Sequence, residues 1–536
     1  MFVRIKPSGP YRYLQIVENR RQGRRTVQRV LATLGRVDQL AATGGIDGLL
    51  RSLGRFADQV RVIEAHRQGQ LEAGAVRQLG PDLVFGRLWQ TVGLQPLLTA
   101  LLQERRFEFP VERAVYLTVL HRLFESGSDR AAERWRRDVR LPGTEGLELH
   151  HLYRAMRWLG ETKAAIEEAL FLQRRDLFTA LTLAFFDTTS LYFEGRGGES
   201  LGQYGHSKDH RPDRRQMVVG AVLTGEGRPV CCELWPGHSA DGRALLPVVD
   251  RLRQRFGIQQ VCWVADRGMI SAKTIQELER RQLQYILGAR LRRQREVGRE
   301  VLARAGRYHE VAANLRVKEV GVEGRRYIVC HNPEEAAKDA AAREAILQAL
   351  ADQLRQGAKR LVGNRGFRRF LRIAKGAVTV DQAKVAAEAR YDGKFVLRTN
   401  TTLPAAEVAV QYKRLLLVEQ FFRAAKSLLE TRPIFHQWDA TIAGHVFCSF
   451  LALVLVDELH RGLAARGWRL EWADIRRDLE ALAEVEVRDH EQWYLLRTAL
   501  QGVAGKVLQG VGVAVPPPVR PLPDVVPRPQ TMPVTH

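Results

Sequence analysis

The chain has 536 residues, 45% of them apolar, which supports sizeable cores and excludes a wholly disordered polypeptide. At roughly 100–200 residues per domain, that length corresponds to about three to five domains. Lys and Arg number 83 against 60 Asp and Glu, a net charge of +23 that makes a polyanion, nucleic acid first among them, the expected partner. Basic ribosomal and membrane-surface proteins share that balance. Only 13 of the basic residues are Lys, and the Arg excess fits either a GC-rich genome or phosphate binding by planar guanidinium forks. The five cysteines form no CxxC pair and are odd in number, which argues against a zinc site or a disulfide framework. MFVRIKPSGP at the N-terminus has no secretory apolar region, and the longest apolar run, around Val446–Val456, is too short to span a bilayer. A cytoplasmic protein with no membrane partner is therefore expected.

Residues 1–45 read as a basic β-hairpin domain. The first 36 carry nine Lys/Arg against one acid, Glu18, and YRYLQIVE and RRTVQRVLATLG are strand-like runs joined by the NRRQG turn. Residues 46–178 are helix-patterned, as at Leu117, Leu120 and Phe124, and suit either DNA-end binding or a helical spacer. From 179 to 289 five apolar runs follow: LTLAFFDTT, QMVVGAVLT, RPVCCELWPG, QVCWVADRG and QYILGAR. Amphipathic helices separate the last three, with Asp241 and Ser271 as predicted N-caps. Three consecutive strands followed by helix–strand alternation predict an α/β mixed sheet of the ribonuclease-H type.

Residues 290–399 read as a large α+β insertion. Strands NLRVKEVGV and RRYIVCH precede a helix that starts at Pro333 behind an Asn332 cap. From Leu354 to Val380 there are eight Lys/Arg and no acid, which suits a phosphate track or a solvated face. YDGKFVLRTN returns as a strand. Residues 400–470 form a second part of the core, with one long helix over 412–430 and then the apolar ATIAGHVFCSFLALVLVDELHR. A C-terminal helical region is expected over 471–514. The tail, 515–536, holds eight prolines and should be extended or disordered.

Asp187 and Asp266 stand at or near the ends of apolar strands, and Glu419 lies on the 412–430 helix. A carboxylate at a strand end is desolvated unless it is paired or bound to a cation. Hard oxygen ligands of this kind suit Mg²⁺ or Mn²⁺, and two such ions can clamp an in-line phosphoryl displacement. In the loop SKDHRPDRR, Asp209, Arg211 and Asp213 either line a site or build a polar turn, while Pro212 argues against zinc at His206 and His210.

FFDTTSLYFEG, YGHSKDHRPDRRQMVVG, PGHSADG, VADRGM, YDGKFVLRTN, YKRLLLVEQFFRAAKSLLETRPIFH and GHVFCSFLAL occur in that order over about residues 183–455. In this the sequence resembles the DDE-type transposases of bacterial insertion sequences, in the branch with a long insertion before the third carboxylate. The resemblance implies a ribonuclease-H-like catalytic core holding two divalent ions, Mg²⁺ or Mn²⁺, on the catalytic residues Asp187, Asp266 and Glu419. It further implies double-stranded DNA partners (terminal inverted repeats and target), a homodimer in the synaptic complex, and the nucleoid of the bacterial cytoplasm. Tyr412, Glu419 and Lys426 fit the family's helix motif, whereas its Arg position is Leu415 here. At about 100° per residue, Tyr412, Glu419, Arg423, Lys426 and Glu430 share one stripe, and Tyr412, Arg423 and Lys426 are the predicted DNA contacts. No Trp lies between Trp263 and Trp438, which leaves Tyr308, Tyr327 or Phe367 to stack on a flipped base. The function implied is two-metal cleavage and strand transfer at element ends. A catalytically silent DNA-binding regulator derived from a transposase is the alternative, and a plain nuclease would explain neither the basic N-terminus nor the insertion.

Overall fold

The computed structural model describes residues 1–22, 25–54, 62–63, 66–67, 69, 71–174, 183–239, 241–256, 261–269, 271–292, 294–356, 367, 369–374, 377–489 and 492–522. They divide into two compact units. One comprises Met1–Val84, Arg137–Arg140 and Leu470–His536, and the other Phe85–Arg136 and Leu141–Arg469.

In the first unit, β1 (Phe2–Ser8), β2 (Tyr11–Gln22) and β3 (Arg25–Arg36) form an antiparallel sheet, so the expected hairpin gains a third strand. Pro7 is tolerated in β1 because that strand is an edge, where a missing N–H breaks no ladder. A second sheet has the order β18-β17-β16-β4, from β4 (Leu71–Gln78), β16 (Ala483–Asp489), β17 (Gln492–Arg497) and β18 (Val519–Pro521). The expectation of uniformly helical segments at 46–178 and 471–514 is thus corrected. AEVEVRD alternates with period two, and Val485 and Val487 pair with Leu496 and Tyr494 to bury one face. Glu484, fully buried, accepts two bonds of 2.9 Å from Arg520. Of the Pro-rich tail, residues 523–536 lie outside the described residues.

The second unit is built on a nine-stranded mixed sheet. Its strands are β5 (Leu183–Tyr192), β6 (Gln216–Thr224), β7 (Pro229–Pro236), β8 (Cys262–Ala265), β9 (Gln284–Gly288), β10 (His309–Ala312), β11 (Leu315–Val322), β12 (Arg325–His331) and β15 (Lys394–Thr399). They lie in the order β10-β11-β12-β15-β9-β8-β5-β6-β7. Only β5/β8 and β8/β9 run parallel. Helices Asp241–Phe256 and Ala272–Arg280 supply the two crossovers that parallel neighbours require. Ser271 caps the second, accepting from the Thr274 amide at 3.0 Å, whereas the side chain of Asp241 is outside those described.

The segment expected to be a separate insertion is only partly one. β10, β11, β12 and β15 extend the same sheet, while the Asn332-capped helix Pro333–Gln356, the hairpin β13 (Leu371–Ala374)/β14 (Ala377–Val380) and helix Gln382–Ala389 lie outside it. Residues 357–366 of the basic tract are outside the described residues. Two 26-residue helices, Leu149–Arg174 and Asp439–Ala464, pack on each other. A Cβ on Gly160 would strike the Ala440 carbonyl, and one on Gly444 the Met156 carbonyl, so glycine at both positions permits the close crossing. Helix Asp439–Ala464 is long and apolar enough to cross a membrane by length and composition, unlike the shorter run seen in the sequence. Here it is a core helix, with 78% of its most apolar window buried.

Candidate active site

Asp266 directly follows β8 as expected, whereas Asp187 is not near a strand end: it is the fifth of ten residues in β5, which runs on through buried Thr188–Leu191 to pair with β6. The parallel register pairs Phe186 with Ala265, so the two aspartates are the next residues along adjacent strands, which are about 4.8 Å apart. Alternation fixes their face. Leu183, Phe185, Cys262 and Val264 belong to the core shared with Val408, Leu415, Val418 and Phe422, and Asp187 and Asp266 continue those two rows. Phe186 and Ala265 turn instead toward helix Asp241–Phe256. Asp187 Oδ1 accepts from the Thr188 amide at 2.7 Å, and Asp266 Oδ1 accepts from Tyr412 Oη at 2.8 Å. Burial, then the charge and hydrogen bond of Asp266, push the Tyr412 phenol pKa upward; Asp187 adds to this and Arg267 opposes it. Tyr412 also stacks on Phe395.

The expected continuous helix over 412–430 is broken into three pieces. Helix Ala405–Lys413 ends one residue after Tyr412, helix Leu416–Arg423 follows, and Ala424–Leu428 is a π-turn closed by Leu429 N–H to Ala424 O at 3.1 Å. Between the first two, Leu415, Leu417 and Val418 each donate three residues back, at 2.9–3.0 Å. This overwinding eclipses side chains at i and i+3. It aligns Tyr412, Leu415 and Val418 so that the phenol reaches Asp266 while both aliphatic side chains enter the core. A single stripe drawn at 100° per residue therefore does not hold, and Glu430 has left the helix with φ +44°. Glu419 is exposed on helix Leu416–Arg423, which packs against β5 and β6, and Arg423 is exposed on the same helix. Lys426, on the π-turn, is paired to Asp209 at 2.8 Å, with Arg432 3.3 Å from the other carboxylate oxygen. Asp209 is 6% exposed and Lys426 14%. Burial lowers the Lys426 pKa, and Asp209 counters that shift.

Residues 180–454, just over half of the chain, match the Transposase DDE domain. This chain belongs to the DDE transposases. In the transposase, residues 3–67 also match the family described as IS1634 family transposase, N-terminal domain, which marks it as an insertion-sequence enzyme. Among solved structures, it is similar to a piggyBac transposase synaptic complex with hairpin DNA, at 11% identity and a TM-score of 0.39, covering 75% of this chain and 79% of that one. No curated protein sequence matches it.

The Asp187–Asp266 pair offers the transposase hard oxygens on neighbouring strands, which fit a divalent ion. Among the described residues no group of three Asp, Glu, His or Cys side chains is placed to hold a metal ion together, so Glu419 does not join the pair in this conformation. The SKDHRPDRR loop divides. Asp209 is a buried anchor, whereas Arg211 and Asp213 close an exposed pair with two bonds of 2.9 Å. Lys208 donates to the Thr188 carbonyl at 2.7 Å, which sets a cation one residue from Asp187. Of the proposed stacking residues, Tyr327 is buried with its hydroxyl on Glu296, and Phe367 packs in a small core with Leu350 and Phe370. Tyr308 is partly buried beside His331. Sequence reasoning missed Gly288, where an added Cβ would strike the Tyr412 hydroxyl and lie 3.0 Å from Cζ. Its signal was a glycine ending the apolar run QYILG, a mark of close approach by another group.

Proposed function

We propose that the transposase cuts DNA at the ends of its element and joins the freed 3′-hydroxyl to target DNA, using Asp187, Asp266 and Glu419 as catalytic carboxylates. The observation that carries this reading is the adjacency of Asp187 and Asp266 on parallel strands of a sheet ordered β9-β8-β5-β6-β7, the arrangement of a ribonuclease-H-like core. Asp187 and Asp266 would hold Mg²⁺ or Mn²⁺, and two such ions supply charge stabilisation to both the attacking and leaving oxygens of an in-line displacement. Tyr412 orients Asp266 by its hydrogen bond, and Lys208 places positive charge beside Asp187. Glu419 is carried on a helix that is tightened at one end and widened into a π-turn at the other, distortions common at functional hinges. Its approach to the aspartates accompanies DNA binding. Arg423, exposed on the same helix, contacts phosphate directly, while Lys426 acts through its pairing with Asp209. Double-stranded DNA, both terminal repeat and target, and a homodimeric synaptic complex in a bacterial cytoplasm complete the reading.

Asp187→Ala, Asp266→Ala and Glu419→Ala should each abolish Mg²⁺-dependent strand cleavage while gel-shift binding to element ends persists. Normal cutting by any one variant removes that residue from the catalytic set.

A further inference from the structure

One residue past Asp266 the chain opens a pocket of about 330 Å³ lined by Arg267, Gly268, Arg290, Leu291 and Arg292. We infer that this pocket seats one backbone phosphate of the bound DNA strand, adjacent to the phosphate that is cut. The inference rests on the proposed DNA-cleaving function and adds a residue-level contact to it. Arg290 donates from Nε to the Arg267 carbonyl at 2.9 Å and from Nη2 to the Gly268 carbonyl at 3.0 Å. Carbonyls orient a guanidinium without neutralising it, so the Arg290 charge is fixed in place rather than cancelled. Among the described residues, neither Arg267 nor Arg290 belongs to an ion pair. Arg292 is partly compensated by Glu388 at 3.0 Å and lies 5.1 Å over the Tyr391 ring, which holds it at the rim.

Three guanidiniums around one opening with a single aliphatic neighbour suit a phosphodiester, whose paired oxygens match the guanidinium fork. Asp266 and Arg267 are consecutive, so a strand laid with its scissile phosphate at the aspartates brings a neighbouring phosphate to the pocket.

The test uses the full-length protein and element-end duplexes carrying a single uncharged methylphosphonate at successive positions around the cut. In the wild type, one position next to the scissile phosphate should weaken binding by about tenfold, the loss expected for one charge-assisted contact. In Arg267→Gln and in Arg290→Gln, that same substitution should have no further effect, and the slope of log K against log salt should become shallower by about 0.9. Arg267 is exposed, and its side chain bonds no backbone group among the described residues, so this variant serves if Arg290→Gln loosens the turn. Methylphosphonates that weaken both variants as much as the wild type would overturn the inference. Inorganic phosphate, at matched ionic strength, should displace DNA from the wild type more readily than from the variants, and equal displacement from all of them would count equally against the pocket. Failure of the underlying reading shows separately, as cleavage that survives Asp266→Ala.

Discussion

Tyr412 and Gly288 should be energetically coupled through one hydroxyl. The Tyr412 Oη–Asp266 bond is 2.8 Å long and partly buried, and a hydrogen bond to a charged group in such a place contributes about 1.5–3 kcal/mol. Tyr412→Phe should therefore destabilise the helix Ala405–Lys413 against the sheet by about that amount and leave Asp266 without its orienting donor. Gly288→Ala attacks the same contact from the other side. The new methyl would collide with Oη, stand 3.0 Å from Cζ and 3.2 Å from the Arg267 amide nitrogen, an overpacking of about 1–3 kcal/mol. In the Tyr412→Phe background the Oη collision is gone and only the Cζ and amide contacts remain. The alanine should then cost about 1 kcal/mol less than in the wild type, a coupling of the size seen between touching residues. Hydrogen exchange of the Ala405–Lys413 amides reads this locally and avoids assuming that two compact units unfold together. A coupling of about 1 kcal/mol appears as about a fivefold difference in protection. Cleavage should fall in both single variants, and the double variant should cut no more slowly than Tyr412→Phe alone. Strictly additive protection factors would show that the phenol does not occupy the space above Gly288, and the placement of Tyr412 on Asp266 would fall with it.

Removing Lys426 should act through stability as well as DNA. Lys426→Ala leaves the buried Asp209 with Arg432 still beside it and should cost less than the about 3–5 kcal/mol of a wholly uncompensated buried charge, whereas exposed Lys413→Ala should cost little. Asp209→Asn combined with Lys426→Met should recover much of the loss in thermal unfolding, and no recovery would mean that the pair is not the reason. Burial lowers the pKa of His121 to about 3 from its usual 6.5, with Arg122 reinforcing the shift. The unfolded chain then binds a proton that the folded chain refuses between those values, so stability is present above pH 6.5 and is lost as pH falls toward 3. His121→Phe should flatten the dependence of unfolding temperature on pH between 6.5 and 4; an unchanged profile would assign the acid sensitivity to other groups, buried His445 and His436 among them.

The strands that carry the aspartates were legible because they are short, nearly all apolar and bounded by polar turns, and because the helices between them keep a clear amphipathic period. LAFF and CWVA also announced the carboxylates that follow them, since an acid directly after an apolar run is chemically conspicuous. β4 and β16 were not legible. LEAGAVRQ is too polar to declare a buried face and becomes a strand by pairing with β16, about 400 residues away in the chain, while AEVEVRD has a strand's alternation but is so short and acidic that its pairing with β17 and β4 decides it. β11 and β12 were legible as strands but not as members of the main sheet, and the four-residue β10 was not read at all, because sequence reports an element's period and not its neighbour.

Composition, charge and the order of motifs by themselves determined a basic α/β protein with two aspartates directly after apolar runs and a resemblance to DDE transposases. Tertiary structure alone decided what the glutamate helix does. Its sequence contains no proline or glycine from Ala405 to Leu429, so local propensity favours one uninterrupted helix. Packing overrules that preference. Tyr412 must reach Asp266 past Gly288 while Leu415, Val418 and Phe422 fill the core, and a uniform 3.6-residue turn cannot satisfy both. The backbone tightens before Glu419 and widens after Arg423 because buried apolar side chains and one phenol–carboxylate bond outweigh the small cost of a few distorted helical hydrogen bonds.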